Sequence, residues 1–348
     1  MTARPVPAAA PIRTDLAFHG RPEGVADAAR AAEERGIDGL LVAEIRHDPF
    51  PMLALAAAAT RRIGLGTGVA IAFARTPMAL AHSAWDLQRL AGGRAVIGLG
   101  SQVAPHVTRR YGMPWSRPAA RMREFAAATR AIWHSWQTGD RLDFRGDFYS
   151  HTLMTPMFDP GPLPEGAPAI RIAAVGPLMT AVAGEVGDGL VCHPFTTPGY
   201  LRETTLPAVR AARAGAEAAR EPWTVRPFEV AGTAMVVTGR TAEQLAANTT
   251  AVRERIAFYG STPAYRPVLE QHGWGALHEA LHTLSKEGRW QEMGRLVDDE
   301  VLHAFAVVGE PEAAGRAVRE RFAGLLDRVT VSLPYECDDG LALDVLGA

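Results

Sequence analysis

The sequence predicts an α/β protein of the (β/α)8 barrel class. Short apolar runs alternate with helical stretches along the chain, and eight such runs can be counted. Runs such as GLLVAEI and AVIGLG are apolar at nearly every position, which suits parallel strands covered on both faces. With 348 residues, the chain can supply eight strand–helix units and bury a sizeable core. A doubly wound sheet is the alternative, since the two classes differ by a strand or two.

In order, the predicted strands are Thr14–Phe18, Gly39–Ile45, Ile63–Ile71, Arg94–Gly100, Ile170–Gly176, Gly189–Pro194, Glu229–Thr238 and Arg328–Leu333. The helices between them are Val25–Arg35, Met52–Thr60, Met78–Leu90, Ala119–Trp136, Leu178–Val186, Tyr200–Ala219 and a longer helical region from Thr241. Two stretches exceed a minimal barrel. Residues 137–169 contain LDFRGDFYS, which reads as a hairpin with Gly146 near its turn. Residues 239–326 are too long for one connection and hold several helices. The expected organisation is a flexible tail over 1–12, then one domain over 13–348 carrying both insertions.

Composition narrows the function. A formal net charge of −2 excludes a nucleic-acid binder that relies on a strongly basic whole-chain field, so no nucleic acid is expected as partner. Cys192 and Cys337 are the only cysteines; they form neither a disulfide framework nor a CxxC pair. MTARPVPAAAPIR lacks the apolar core of a signal peptide, and no run approaches the roughly 18 apolar residues of a membrane span. No membrane association and a cytoplasmic location are therefore expected.

Glycines cluster at predicted strand ends, in IGLGTGVAI, IGLGSQ and AAVGP. Neither of the first two has the GxGxxG spacing of a dinucleotide fingerprint. Glycine at three strand ends would instead let a planar ligand or its phosphate approach closely. In AAVGPLMTAVAGEV a strand runs through Ala174 and Val175 into Gly176-Pro177, and a helix follows at once. Proline suits a first helical turn, whose outward N–H groups make a seat for phosphate; a tight turn without a ligand is the competing reading.

HEALH, His278–His282, matches the zinc-protease pattern HExxH, with two histidines on one helix face and Glu279 as base. It lies in the late insertion, away from any strand end, and no third ligand follows. The competing reading is an amphipathic helix with Leu277, Leu281 and Leu284 turned inward, and no metal site is expected. Nucleophilic hydrolysis has no GxSxG elbow to stand on, and Cys192 falls within a predicted buried strand. Glu44 is the only carboxylate in GLLVAEI, at its carboxyl end, where a functional role outweighs a packing one. His47 on the following loop and His193 at the end of the sixth strand are each candidates for a site residue or a structural hydrogen bond.

Taken in order, GTGVAIAFARTP, GGRAVIGLGSQ, FRGDFY and AAVGPLMTAVAGEVGDG resemble the luciferase-like flavin and deazaflavin oxidoreductases over about Thr14 to Glu336. Within them the chain is most similar to the branch using coenzyme F-420, an 8-hydroxy-5-deazaflavin; the FMN monooxygenases are the alternative. The resemblance implies a bulge with a non-prolyl cis peptide at Gly68-Val69, next to Thr67, bracing the cofactor ring. It implies that Ser101 and Gln102 lie near the cofactor edge, and that Ala174, Val175, Gly176 and Pro177 contact its phosphate.

Relatives often carry an acid followed by histidine at the second strand end. Here Glu44 is followed by Ile45, so His47 or His193 would have to serve as base. Because a deazaflavin transfers hydride, the implied activity is hydride transfer with an organic substrate, with reduction of an activated C=C or C=N bond preferred. The implied partners are a small-molecule or modified-peptide substrate and a second copy in a homodimer. Arg46, Arg75, Arg109 and Arg110 could rim an anionic cofactor tail. A zinc hydrolase, or a cofactor-binding protein without turnover, are the readings from other classes.

Overall fold

The structure is a computed structural model that describes residues 11–216 and 226–348. The predicted tail lies almost wholly outside the described residues, as does the end of the predicted helix Tyr200–Ala219. The strands are β1 (Arg13–Phe18), β2 (Gly39–Val42), β3 (Gly64–Ile71), β4 (Ala95–Gly100), β5 (Phe144–Arg145), β6 (Ser150–His151), β7 (Ala169–Ala174), β8 (Gly189–Cys192), β9 (Glu229–Val237), β10 (Ala306–Val308) and β11 (Arg328–Ser332). The early helices are α1 (Val25–Glu34), α2 (Pro49–Ala59), α3 (Pro77–Leu90), α4 (Pro118–Thr138), α5 (Pro177–Val186), α6 (Pro198–Tyr200) and α7 (Leu206–Ala216). The later ones are α8 (Ala242–Gly260), α9 (Arg266–Gln271), α10 (Gly275–Lys286), α11 (Trp290–Met293), α12 (Asp299–Phe305), α13 (Pro311–Phe322) and α14 (Asp339–Leu346).

All eight predicted strands form, as β1–β4, β7–β9 and β11, and their pairings are parallel. The fold class is the (β/α)8 barrel. The inserted hairpin is β5–β6, antiparallel with Phe144 opposite His151 and Arg145 opposite Ser150. The late insertion carries α8–α13 and one strand that the pattern did not suggest: β10, paired in parallel with Met235–Val237 of β9.

The chain divides into two compact units. One comprises Asp15–His193 and Glu203–Glu229, the other Met1–Thr14, Pro194–Arg202 and Val230–Ala348. In the first, the strand register brings the carboxyl ends to one edge. Val42 lies beside Thr67, Ile71 beside Gly100, Leu99 beside Ile172 and Ala174 beside Cys192. The same turn device starts several helices there. Asp48 accepts from Phe50 N at 2.9 Å before Pro49, and Thr76 accepts from Ala79 N at 3.2 Å before Pro77. A proline at the first position loses no hydrogen bond, so these helices begin a residue or more before the predicted start.

In the second unit a core of Phe195, Met235, Val237, Ile256, Leu269, Leu281 and Phe305 sits among α8–α12. Phe195 stacks on Phe305 with ring centroids 4.3 Å apart. Tyr259, Tyr265 and Trp274 pack against this cluster.

Candidate active site

Strand β2 ends earlier than its apolar run. Glu44 N donates to Val69 O at 3.1 Å, and Ile45 N turns back to Ala43 O. At the same level β3 is bulged: its register with β4 shifts between Thr67 and Ala70, and the Gly68-Val69 peptide is cis. Thr67, Ala70 and Ile71 are buried, while Gly68 is exposed and Val69 half-buried. The bulge thus presents backbone outward from an otherwise buried strand. The glycines around it serve protein packing rather than a ligand. A Cβ on Gly98 would overlap Thr67 O, one on Gly66 would meet Val96 O at 2.9 Å, and one on Gly100 would meet Val69 Cγ2 at 2.8 Å. Close approach by a ligand at Gly66, Gly98 and Gly100 is therefore corrected to close approach by neighbouring strands. Thr67 belongs to the same packing, its hydroxyl donating to Gly98 O at 2.7 Å.

Glu44 stands beside the bulge with its side chain 8% exposed. Its Oε2 accepts from Ile71 N at 2.8 Å. Its Oε1 pairs with Arg75 at 2.7 Å and lies 3.4 Å from the Tyr111 hydroxyl. Burial, and then the nearby carboxylate, raise the Tyr111 phenol above its ordinary range. Arg75 also lies over the Phe50 ring, 5.2 Å from its centroid.

The loop after β4 begins with half-buried Ser101 and Gln102, Gln102 having φ 59°. Ser101 Oγ donates to Gln102 O at 3.1 Å, and Gln102 Oε1 accepts from Val103 N at 3.1 Å. Arg110 donates to Ile45 O at 2.8 Å. Further on, Arg121 donates to Pro114 O and to the Tyr149 hydroxyl, and lies over Phe73. Phe73 meets Trp115 edge to face. Two of the four rim arginines, Arg75 and Arg110, are thus engaged within the protein; Arg46 and Arg109 are exposed.

The hairpin is held by one acid. Glu124 on α4 accepts from the backbone N–H of Asp147, Phe148 and Tyr149 at 2.9, 2.7 and 2.6 Å. Across the rim, exposure rises at the end of β7: Ile172 is buried, while Ala174, Val175 and Gly176 are half-buried and Pro177 is exposed. Gly176 precedes α5 with no side-chain cap, and nothing lies within 4 Å of where its Cβ would be. Uncapped first-turn amides with open space before them suit an anion.

His193 follows β8, and burial pushes its imidazole down to about 4, so it is neutral at neutral pH. His47 is exposed on the loop before α2. Cys192 is buried, with its thiol pushed up to about 12, which removes it as a nucleophile near neutral pH. In the other unit, the HEALH histidines are tied to backbone: His278 Nδ1 to Gly260 O at 2.7 Å and His282 Nδ1 to Ser261 O at 2.9 Å. Glu279 pairs with Arg266 at 2.9 Å. Among the described residues no three His, Cys, Asp or Glu side chains gather as a metal site. Nothing in the sequence marks the reach of Tyr111 to Glu44 or of Glu124 to the hairpin, because a side chain that acts across loops leaves no local signal.

The chain belongs to the luciferase-like monooxygenase family, whose profile matches residues 7–328. It is 53% identical over 306 residues to an uncharacterized protein of Mycobacterium tuberculosis, covering 87% of this chain and 88% of the relative. It is 34% identical over 211 residues to the F-420-dependent glucose-6-phosphate dehydrogenase of Nocardia farcinica, covering 56% and 60% of the two chains. In fold it is similar to the coenzyme F-420-dependent tetrahydromethanopterin reductase of Methanopyrus kandleri, with a TM-score of 0.74 over 98% of both chains at 22% identity. No helix among the described residues is long and apolar enough to cross a membrane.

Proposed function

We propose that the protein is a coenzyme F-420-dependent oxidoreductase acting on an organic small molecule or modified peptide. The observation that carries this reading is the bulge at exposed Gly68 and half-buried Val69, set among buried residues at the edge where β2, β4 and β7 end. That rim fits the cofactor: the bulge offers a flat backbone surface for a ring, and the open first turn at Gly176 and Pro177 suits its phosphate. When bound, the deazaflavin supplies hydride transfer. Ser101 and Gln102 border the ring, and Ala174 and Val175 lead the chain to the phosphate. Exposed Arg46 and Arg109 are placed on rim loops to attract an anionic tail. Thr67 supports the bulge from below.

The candidates for proton transfer are His193, which follows β8 and is neutral at neutral pH, and exposed His47 on the loop before α2. The favoured reaction is reduction of an activated C=C or C=N bond by a cytoplasmic homodimer. Equilibrium binding monitored by cofactor fluorescence tests the reading. Saturable binding of F-420 with weak or no binding of FMN is expected, and tight FMN binding without F-420 binding would replace it by the FMN monooxygenase reading. Oxidation of reduced F-420 by enones and imines, without reduction of oxidised F-420 by sugars, is the expected substrate pattern.

A further inference from the structure

We propose that Glu44 is a positioning residue that joins the ends of β2 and β3 to the loop after β4, rather than the group that moves a proton. Its two carboxylate oxygens already face three donors from two other segments: Ile71 N at 2.8 Å, Arg75 at 2.7 Å and the Tyr111 hydroxyl at 3.4 Å. A carboxylate has about four lone-pair sites, and here the donors take most of them within a nearly buried side chain. A substrate proton would have to displace a charged guanidinium or a backbone amide to reach it. The backbone repeats the connection, since Glu44 N donates to Val69 O inside the bulge.

The second limb runs to the loop after β4. Tyr111 reaches Glu44 directly, and Arg110, stacked over the Tyr111 ring at 4.9 Å, donates to Ile45 O at 2.8 Å. Val107 is buried beneath the same segment. At its far end the loop is held at Pro114 and Trp115 by Arg121 and Phe73. Residues 101–117 are thus a strap tied at both ends, and Glu44 touches both this strap, at Tyr111, and the amide of Ile71 after the bulge. Its functional consequence rests on the cofactor reading above: holding bulge and strap in register preorganises the rim, so loss of Glu44 acts on cofactor affinity more than on the proton step.

Hydrogen–deuterium exchange on the full-length protein, without cofactor, tests the connection. Glu44→Gln should speed exchange at Ile71 and across 106–113 by about five-fold, the effect of losing one typical hydrogen bond. Tyr111→Phe should speed exchange across 106–113 and leave Ile71 unchanged. With F-420, Glu44→Gln should weaken cofactor binding while the pH profile of kcat keeps both limbs. Unchanged exchange in Glu44→Gln, together with a lost limb in the pH profile and unaltered F-420 affinity, would overturn the proposal. If Glu44→Gln does not fold, Glu44→Asp and Tyr111→Phe carry the same readouts. Should the wild-type protein bind no F-420, the reading of function fails while the exchange result still decides this one.

Discussion

The carbonyl of Thr67 lies so close to Gly98 that a Cβ there would overlap it, while the Thr67 hydroxyl donates to the Gly98 carbonyl at 2.7 Å. Two strands therefore pack through backbone at the level of the bulge. Gly98→Ala is expected to destabilise the protein by about 2–4 kcal/mol or to prevent folding, because the atom it meets cannot rotate away. Gly176→Leu meets open space instead. It should retain the wild-type denaturation midpoint and weaken F-420 binding about ten-fold or more by covering the first turn of α5. Urea unfolding and cofactor titration of the two variants separate packing glycines from ligand-facing ones.

Removal of the Glu124 carboxylate should free the hairpin. Three consecutive amides lose a charged acceptor in Glu124→Ala, with a cost of about 2–4 kcal/mol spread over the hairpin and α4. Exchange at 147–149 is expected to rise at least about ten-fold, with β3 and β4 unaffected. Equal acceleration throughout the barrel would show that the hairpin is not a separate element.

Stability should fall with acid through the His193 titration. The folded-state value is depressed to about 4 from an ordinary 6.5, so between these values the unfolded chain binds the extra proton. The His193 contribution is complete above about pH 6.5 and is lost as pH falls toward 4, by at most about 3 kcal/mol. His151 is shifted the same way by burial and adds in the same direction. His193→Gln should flatten the stability–pH curve over that window in chemical denaturation. An unchanged slope would mean that the imidazole is hydrated in the folded protein.

Metal content tests the late insertion. His278 is buried and donates to the Gly260 carbonyl, so His278→Ala should cost about 1–3 kcal/mol. Purified wild-type protein is expected to hold no stoichiometric zinc. Zinc present at one equivalent and lost in His278→Ala would revive the hydrolase reading.

The strands were legible because parallel strands buried on both faces read as apolar runs, from GLLVAEI to the end of β11. Their ends were less so. The run through Ile45 looks like a strand, yet β2 stops at Val42 because the Glu44 amide is drawn to Val69. Strand β10 passed unnoticed: three residues inside a helical region carry no period, and only its pairing with Met235–Val237 makes it a strand. For HEALH the spacing matched a metal motif, but spacing cannot say whether a ring nitrogen faces a metal or a carbonyl.

By itself the sequence determined the class of fold, the order of its strands and the place of its two insertions, since each follows from local pattern and turn chemistry. The turn at Gly176 was also marked locally, by glycine and proline at a strand end, whereas the bulge at Gly68-Val69 was implied by the family resemblance. Tertiary structure alone decided what those features touch. Gly66, Gly98 and Gly100 proved to make room for neighbouring strands, and Arg75 and Arg110 to be engaged within the protein. Glu44 emerged as the meeting point of three segments. The reason is physical: a period or a turn is a property of adjacent residues, whereas which donors reach a carboxylate depends on the distances that folding sets between segments far apart in the chain.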